Sequence, residues 1–479
     1  MAKEEKQSRR VKDVQRGIWT PETIAEVKYK AQTGKHRIRG CGTPRKLPHF
    51  DDLIFLPSQL TRMSIDTYRE DCKTQTVLGA RFAKKPLVIE TPIMISGMSY
   101  GALSKEAKTA LAKATDIVGT SINNGEGGLL PEERDNSYKQ VVQILPSRMG
   151  FTLRNIEAAD ALEIIVGTSI NNGEGGLLPE ERDNSYKQVV QILPSRMGFS
   201  LRNIEAADAL EIIVGIGAKP GLSGHLMASK ITKEIAQFRQ LPEGIDLHSH
   251  PRHGDIFGAD DLCLKMEELR DVTDGEIPIF IKLAAGRVWE DVKIAVKAGV
   301  DGIVIDGAEG GTGAAPVVAS NHLGIPTMPA LVQAVRSLED MGVKDEISLI
   351  VSGGIKDGAD MAKALALGAD AVAIGTGAMV AMGCVVCLRC HEGKCAFGIG
   401  TQDPELRSRL DVDQAAQQVA NYIKGMTNEA VILAKAAGKT KLTSLEREDL
   451  RSLTLEACAM TGIPLIGSNY TFGEMFGFC

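Results

Sequence analysis

Nowhere in the 479 residues do 18 apolar residues run uninterrupted, and that lack removes the commonest signal of a membrane-crossing helix. The opening MAKEEKQSRRVKDVQRG is charged, with no apolar run behind it, so the cytoplasm is the expected location rather than a secretory route. A basic excess is missing as well: 55 Lys and Arg face 61 Asp and Glu, for a formal charge of -6. Nothing in that balance recruits nucleic acid or an anionic membrane. Also absent is a G-x-G-x-x-G fingerprint behind a first strand, which argues against NAD(P)H binding by this chain. Cysteines number nine, an odd count, scattered except for one cluster. Such a set makes a poor disulfide framework and a better metal site in a reducing compartment. Cys41, Cys72, Cys263, Cys458 and Cys479 read as ordinary thiols.

What is present is a balanced composition, 43% hydrophobic and 24% charged. That is a soluble globular chain, long enough for one large barrel with additions or for two to three ordinary domains. From residue 91, short apolar runs alternate with amphipathic helical stretches, the βα alternation of a parallel sheet. Eight runs read as strands: 92–97, 116–122, 139–145, 209–215, 278–284, 301–307, 347–354 and 370–377. Helices over 104–114, 290–299 and 357–368 fit between them, each with a capping residue at its start or Gly at its end. The expected fold is a closed (β/α)8 TIM barrel, with an open doubly wound sheet as the competing architecture. Around it the chain divides into a basic lead-in (1–90), the barrel (91–383), a cysteine-rich loop (384–400) and a C-terminal helical extension (401–479).

One feature breaks the count. Residues 117–164 recur at 165–212 with a single change, Thr152 to Ser200. A solenoid needs three or more diverged, capped units, so two near-identical copies inside a barrel mark a recent in-frame duplication or an assembly error. Eight strands leave no place for a second set. One copy is therefore expected to be extruded, exposing an apolar, β-prone KQVVQIL to solvent.

In such barrels ligands sit at the C-terminal ends of the strands, and a phosphate commonly lies on the loops after the seventh and eighth. Here those loops are VSGGIKDG and AIGTGAM. Gly353, Gly354, Gly375 and Thr376 can offer bare backbone N–H groups to an anion, or can simply serve turns. DGAEGGTGAAP (306–316), with Gly310, Gly311 and Thr312, adds another glycine-rich strand end. MISGMSYGALS (94–104), with Met98 and Ser99, opens the barrel with small residues where a flat ring could meet the backbone. Together they suit flavin mononucleotide (FMN). Lys282, inside IFIKLA, would cost several kcal/mol of desolvation without an anion or flavin beside it. Glu126, or its copy Glu174, rides a Gly-flanked loop and reads equally as catalytic or as an exposed carboxylate. The three histidines of HSHPRHGD (248–255) have no partner at helix spacing to mark a metal site.

GCVVCLRCHEGKC places Cys384, Cys387, Cys390 and Cys395 within twelve positions. Structural zinc usually takes two pairs a dozen or more residues apart, so a compact iron–sulfur cluster suits this spacing better, with zinc as the alternative.

These motifs resemble a known family. MSYGALSKEA, NNGEGG, GAKPG, IKLAAG, EGGTGAAP, CHEGKC and GIGTQDPELR fall in the order of the FMN-binding domain of glutamate synthase. The lead-in RKLPHFDDLIFLPSQL is similar to a shorter, stand-alone branch that includes the corresponding component of N-methylglutamate synthase. The duplication is no part of the family pattern, which one copy satisfies. The resemblance implies an FMN barrel beside a three-iron (3Fe-4S) cluster on Cys384, Cys390 and Cys395, in the pattern C-x5-C-x4-C. Cys387 is extra and leaves open a four-iron (4Fe-4S) cluster. It also implies reduction of 2-iminoglutarate, made from 2-oxoglutarate and ammonia, to L-glutamate. Lys282 would touch flavin or substrate, and Glu126 or Glu174 would link substrate binding to ammonia arrival. Met1 is followed by Ala2, not by a nucleophilic cysteine, so separate glutaminase and electron-donor subunits, in an oligomeric assembly, are expected. The alternatives are a methylamine-using component of N-methylglutamate synthase and a barrel that the duplication has inactivated.

Overall fold

The computed structural model describes residues 20–126, 128–144, 207–222, 224–239, 242–249, 251 and 253–476. Eight parallel strands close into a barrel in chain order: β1 Ile93–Ile95, β2 Ser121–Asn123, β3 Lys139–Ile144, β4 Ala209–Ile213, β5 Ile279–Ala284, β6 Gly302–Asp306, β7 Ser348–Ser352 and β8 Ala371–Ile374. The last strand returns to the first through Val372 opposite Ile93 and Ile374 opposite Ile95. Each strand is buried on both faces almost throughout, and that is why all eight read in sequence as apolar runs.

Seven labelled helices matter below: α1 Lys105–Val118, α2 Ala259–Val272, α3 Val288–Lys297, α4 Thr327–Asp340, α5 Gly358–Ala366, α6 Thr376–Ala381 and α7 Val412–Ala436. Ser104 caps α1 by accepting from the Ala107 N–H, and Asp357 caps α5 by accepting from Asp360. The widest departure from the expected strand boundaries is at the start of β2. The run 116–122 is not all strand, because α1 continues to Val118 and ends only at Gly119, whose φ of 72° stops it in the left-handed region.

The lead-in is woven into the barrel. Its antiparallel hairpin of Thr76–Leu78 and Leu87–Ile89 plugs the end where the strands begin, packing Leu78, Leu87 and Ile89 on Met94, Val141, Phe280 and Ile350. Ile38–Arg39 pairs with Ala315–Pro316 at the opposite end, beyond β6. The C-terminal α7 packs against α1 and α5 through a stripe that includes Ala416, Val419, Ala420, Ile423 and Ala430. The contact is close. A Cβ on Gly358, at the start of α5, would lie 2.0 Å from the Met426 carbonyl oxygen.

Of the duplicated segment, the barrel takes β2 and β3 from the first copy and β4 from the end of the second. The second copy's KQVVQIL and Glu174 lie outside the described residues, as does the expected extrusion.

Candidate active site

At the C-terminal ends of the strands opens a cavity of about 1090 Å³. Its wall includes Met98, Ser99, Glu126, Lys282, Gly310, Gly311, Thr312, Gly353, Gly354, Gly375, Thr376 and all four clustered cysteines. Every candidate residue of the first copy and the later strands therefore meets in one place.

The first two loops are tied from below. Lys108 on α1 is wholly buried and donates from Nζ to the Met98 carbonyl at 2.5 Å and to the Asn124 carbonyl at 2.9 Å. Its charge is answered by Glu133 at 2.7 Å, equally buried. Burial lifts the Glu133 carboxyl to about 7 against the pull of Lys108. On the Met98 loop, Ser99 Oγ donates to Glu126 Oε1 at 3.4 Å. Gly125 is small because its Cβ would strike the Ser99 backbone N at 2.5 Å.

Lys282 on β5 is 3% exposed, with Nζ 3.6 Å from Asp306 Oδ2 and 3.3 Å from Ser96 Oγ. Burial works against its charge, but Asp306, Glu211 and Glu126 outweigh that and hold the amine above its ordinary pKa. Asp306, at the end of β6, also accepts from the Gly217 N–H at 3.0 Å. Sequence reading passes over Asp306, Glu309 and Gln143, although each lies inside a strand or motif that it singles out. Gln143 Oε1, Asp306 Oδ1 and Glu309 Oε1 are buried and find no hydrogen-bond partner among the described residues, and all three residues line the cavity. Unpaired buried oxygens are costly, so the cavity fits a polar guest.

After β7 and β8 the chain runs through the glycine turns expected to hold a phosphate, and both line the cavity. Gly353 and Gly354 have φ of 107° and 78°, which only glycine adopts without strain. Thr327 Oγ1, at the start of α4, donates to the Gly353 carbonyl at 2.8 Å and braces the turn. The C-terminal extension contributes too: Tyr422 on α7 lines the cavity and donates to the Lys356 carbonyl at 2.8 Å. These backbone cradles and the open floor at Ser96–Met98 fit FMN.

The cysteine loop follows α6. Cys384, Cys390 and Cys395 are half-buried and Cys387 is exposed. The Val386 N–H donates to Cys384 Sγ at 3.4 Å. Val386 and Leu388, flanking Cys387, both have positive φ, 51° and 62°, a strained pair for side-chain-bearing residues. The unforeseen member is Cys41, read from sequence as an ordinary thiol. It is buried, with Sγ 3.9 Å from Cys390 Sγ. Hydrogen bonding from Cys41 lowers the Cys390 thiol to about 6 despite burial, while burial raises Cys384.

A small side pocket adjoins the cavity, sharing Ser99, Ala102, Glu126, Thr312 and Gly313 with it. Lys219, Lys230 and His225 line it. Burial pushes the Lys219 amine down to about 8, against the pull of Glu126, and its Nζ donates to the Ala314 carbonyl at 2.8 Å. Of the HSHPRHGD histidines, His253 is buried beside the Ile213 carbonyl at 2.9 Å. His248 stacks on His225 across a two-stranded ribbon, 4.1 Å between rings. Cross-strand pairing thus supplies His248 with neighbours that helix spacing could not show. Asp246, beside them, already accepts from the Ala228 N–H at 2.6 Å.

Among solved structures, the chain is similar to a mandelate oxidase carrying an FMN adduct, at 17% identity and a TM-score of 0.47, covering 84% of this chain and 89% of that one. A family model described as a conserved region in glutamate synthase matches residues 45–169 and 165–440. The two matches overlap at residues 165–169, where the second of the duplicated copies begins. A glutamate synthase large subunit-like protein of Rhizobium meliloti is 43% identical over 94% of this chain and 95% of its own length. An archaeal glutamate synthase [NADPH] of Methanocaldococcus jannaschii is 36% identical over 91% of this chain and 82% of its own. With a large cavity at the C-terminal ends of a closed barrel's strands and relatives this similar along nearly all of its length, the chain belongs to the glutamate synthase family of flavin-dependent oxidoreductases.

Proposed function

We propose that the chain reduces 2-iminoglutarate, formed from 2-oxoglutarate and ammonia, to L-glutamate. One observation carries this reading: a flavin-sized cavity has the cysteine loop in its wall and a lysine-lined pocket at its side. Bound FMN would supply the hydride, and an iron–sulfur cluster on Cys384, Cys390 and Cys395 would supply single electrons.

The chain's own residues divide the remaining work. Gly353, Gly354, Gly375 and Thr376 would offer backbone donors to the cofactor phosphate, and Lys282, charged beside Asp306, lines the same cavity, where it would contact flavin or substrate. Lys219 and Lys230 are buried beside the side pocket, which at about 30 Å³ has no room for a whole dicarboxylate; a single carboxylate of a substrate lying in the main cavity, reaching toward Lys219 past Glu126, would offset part of its desolvation. Glu126 stands at the border of both cavities, where a carboxylate can hold an ammonium ion beside the substrate carbonyl.

The chain spacing supports a cluster over zinc: structural zinc usually takes two pairs a dozen or more residues apart, whereas Cys384, Cys387, Cys390 and Cys395 fall within twelve positions. Relatives with NADPH in their names support a nicotinamide as the ultimate electron source, reached through a partner protein. Ammonia comes free or from a separate glutaminase.

Anaerobic purification tests the reading: a flavin spectrum with iron and sulfide, and glutamate formed from 2-oxoglutarate and ammonia with a chemical reductant. Zinc without flavin would sink it. Turnover only with glutamate and methylamine would transfer the chain to the N-methylglutamate synthase branch.

A further inference from the structure

Residues 39–42, Arg-Gly-Cys-Gly, are wedged between the flavin cavity and the cysteine loop. The Gly40 N–H donates to the Leu388 carbonyl at 2.9 Å, on the cysteine side. On the flavin side, the Cys41 N–H donates to the Thr312 carbonyl at 2.7 Å, and the Thr312 N–H returns to the Cys41 carbonyl at 3.3 Å. The flanking glycines record how close both loops come. A Cβ on Gly40 would lie 2.6 Å from the Cys390 Cβ, and one on Gly42 would lie 2.6 Å from the Gly310 carbonyl oxygen. Between them Cys41 holds a φ of 58° and is 2% exposed. Its Sγ stands 3.9 Å from Cys390 Sγ. That is the separation of a thiol donating to sulfur, and it is too short for two thiolates bound to different irons.

We propose that Cys41 is a positioning residue for electron transfer: its thiol donates a hydrogen bond to the Cys390 sulfur and so raises the reduction potential of the cluster that Cys390 would hold. The proposal rests on the iron–sulfur reading above. Hydrogen bonds to ligand sulfurs stabilise the more negative, reduced cluster and are among the protein's main means of setting its potential. The same residue pairs by backbone with the loop that cradles the flavin, so one side chain and one peptide join the two redox sites.

The test compares wild type with Cys41→Ala and Cys41→Ser, all purified anaerobically. Iron, sulfide and flavin contents are measured first, then the cluster midpoint potential by titration followed with electron paramagnetic resonance. Cys41→Ala is expected to keep iron and flavin while its potential moves to more negative values. Cys41→Ser, whose hydroxyl still donates, is expected to stay nearer wild type. An unmoved potential in Cys41→Ala overturns the proposal, and so does an equal shift in both variants, which would assign the effect to packing. Loss of iron in Cys41→Ala but not in Cys387→Ser would make Cys41 a ligand instead, and also overturns it. Iron-free wild type would sink the cluster reading itself, a result distinct from all of these.

Discussion

Two buried lysines show how single side chains set this site. Lys219 has its pKa lowered to about 8 by burial, so an anionic substrate meets a full positive charge below that pH and a neutral amine above it. The Michaelis constant for 2-oxoglutarate is expected to rise as pH climbs past about 8, with a smaller change in kcat; initial rates from below to above that pH check this. Lys219→Met removes a charge-assisted hydrogen bond worth about 1.5–3 kcal/mol, which is roughly a 10- to 100-fold increase in the same constant. Lys108 acts on structure instead. Lys108→Met leaves Glu133 buried and unanswered, at about 3–5 kcal/mol, seen as a lowered denaturation midpoint and weakened flavin retention. The double variant Lys108→Met/Glu133→Leu is expected to recover most of the midpoint, because it removes both charges. Sequence singled out Lys282 and the four clustered cysteines, since each stands out against its own neighbours, and the fold brings all five to the cavity wall. It could not show Cys41, which gains meaning only from Cys390, 349 residues away in the chain. Nor did it separate Asp306 and Glu309 from the turn glycines around them.

At the scale of elements, the barrel was readable because a parallel strand is buried on both faces and so appears as an unbroken apolar run. All eight runs became strands. The misplaced start of β2 has a plain cause: Ile117 and Val118 are apolar, β-branched and adjacent to the strand, but the helix stops only where Gly119 permits a left-handed turn. The duplication was equally plain in sequence. Its effect on the fold follows from where β3 and β4 lie in the two copies. Deleting residues 165–212 replaces Ala209–Ile212 of β4 by the identical ALEI at 161–164 and leaves a connection of ordinary crossover length after β3. That variant is expected to be at least as soluble as the full chain and to bind as much flavin. An insoluble or flavin-free product would mean that the extra segment has become part of the fold.

For the molecule as a whole, the lead-in, barrel, cysteine loop and α7 all contribute to one cavity, so occupancy should be felt by the entire fold. A ligand that binds only the folded state stabilises it by about 2.7 kcal/mol at a hundredfold excess over its dissociation constant. Adding FMN to flavin-depleted protein is expected to raise the thermal midpoint, and riboflavin, which lacks the phosphate that Gly353, Gly354, Gly375 and Thr376 would hold, to raise it far less. Equal effects would remove the phosphate from the account. Among the described residues no helix is long and apolar enough to cross a membrane.

The glycine-flanked wedge at 40–42 also has a kinetic meaning. Electron transfer slows exponentially with the gap between donor and acceptor, so a gap set by swinging side chains gives a spread of rates. Between the two proposed sites the spacing is set by close packing of glycine backbone, Gly40 against the Cβ and backbone N of Cys390 and Gly42 against the Gly310 carbonyl. Like a machined spacer, it would keep the gap between the proposed flavin and cluster the same at every turnover, and lengthening either glycine by one carbon would push the two loops apart.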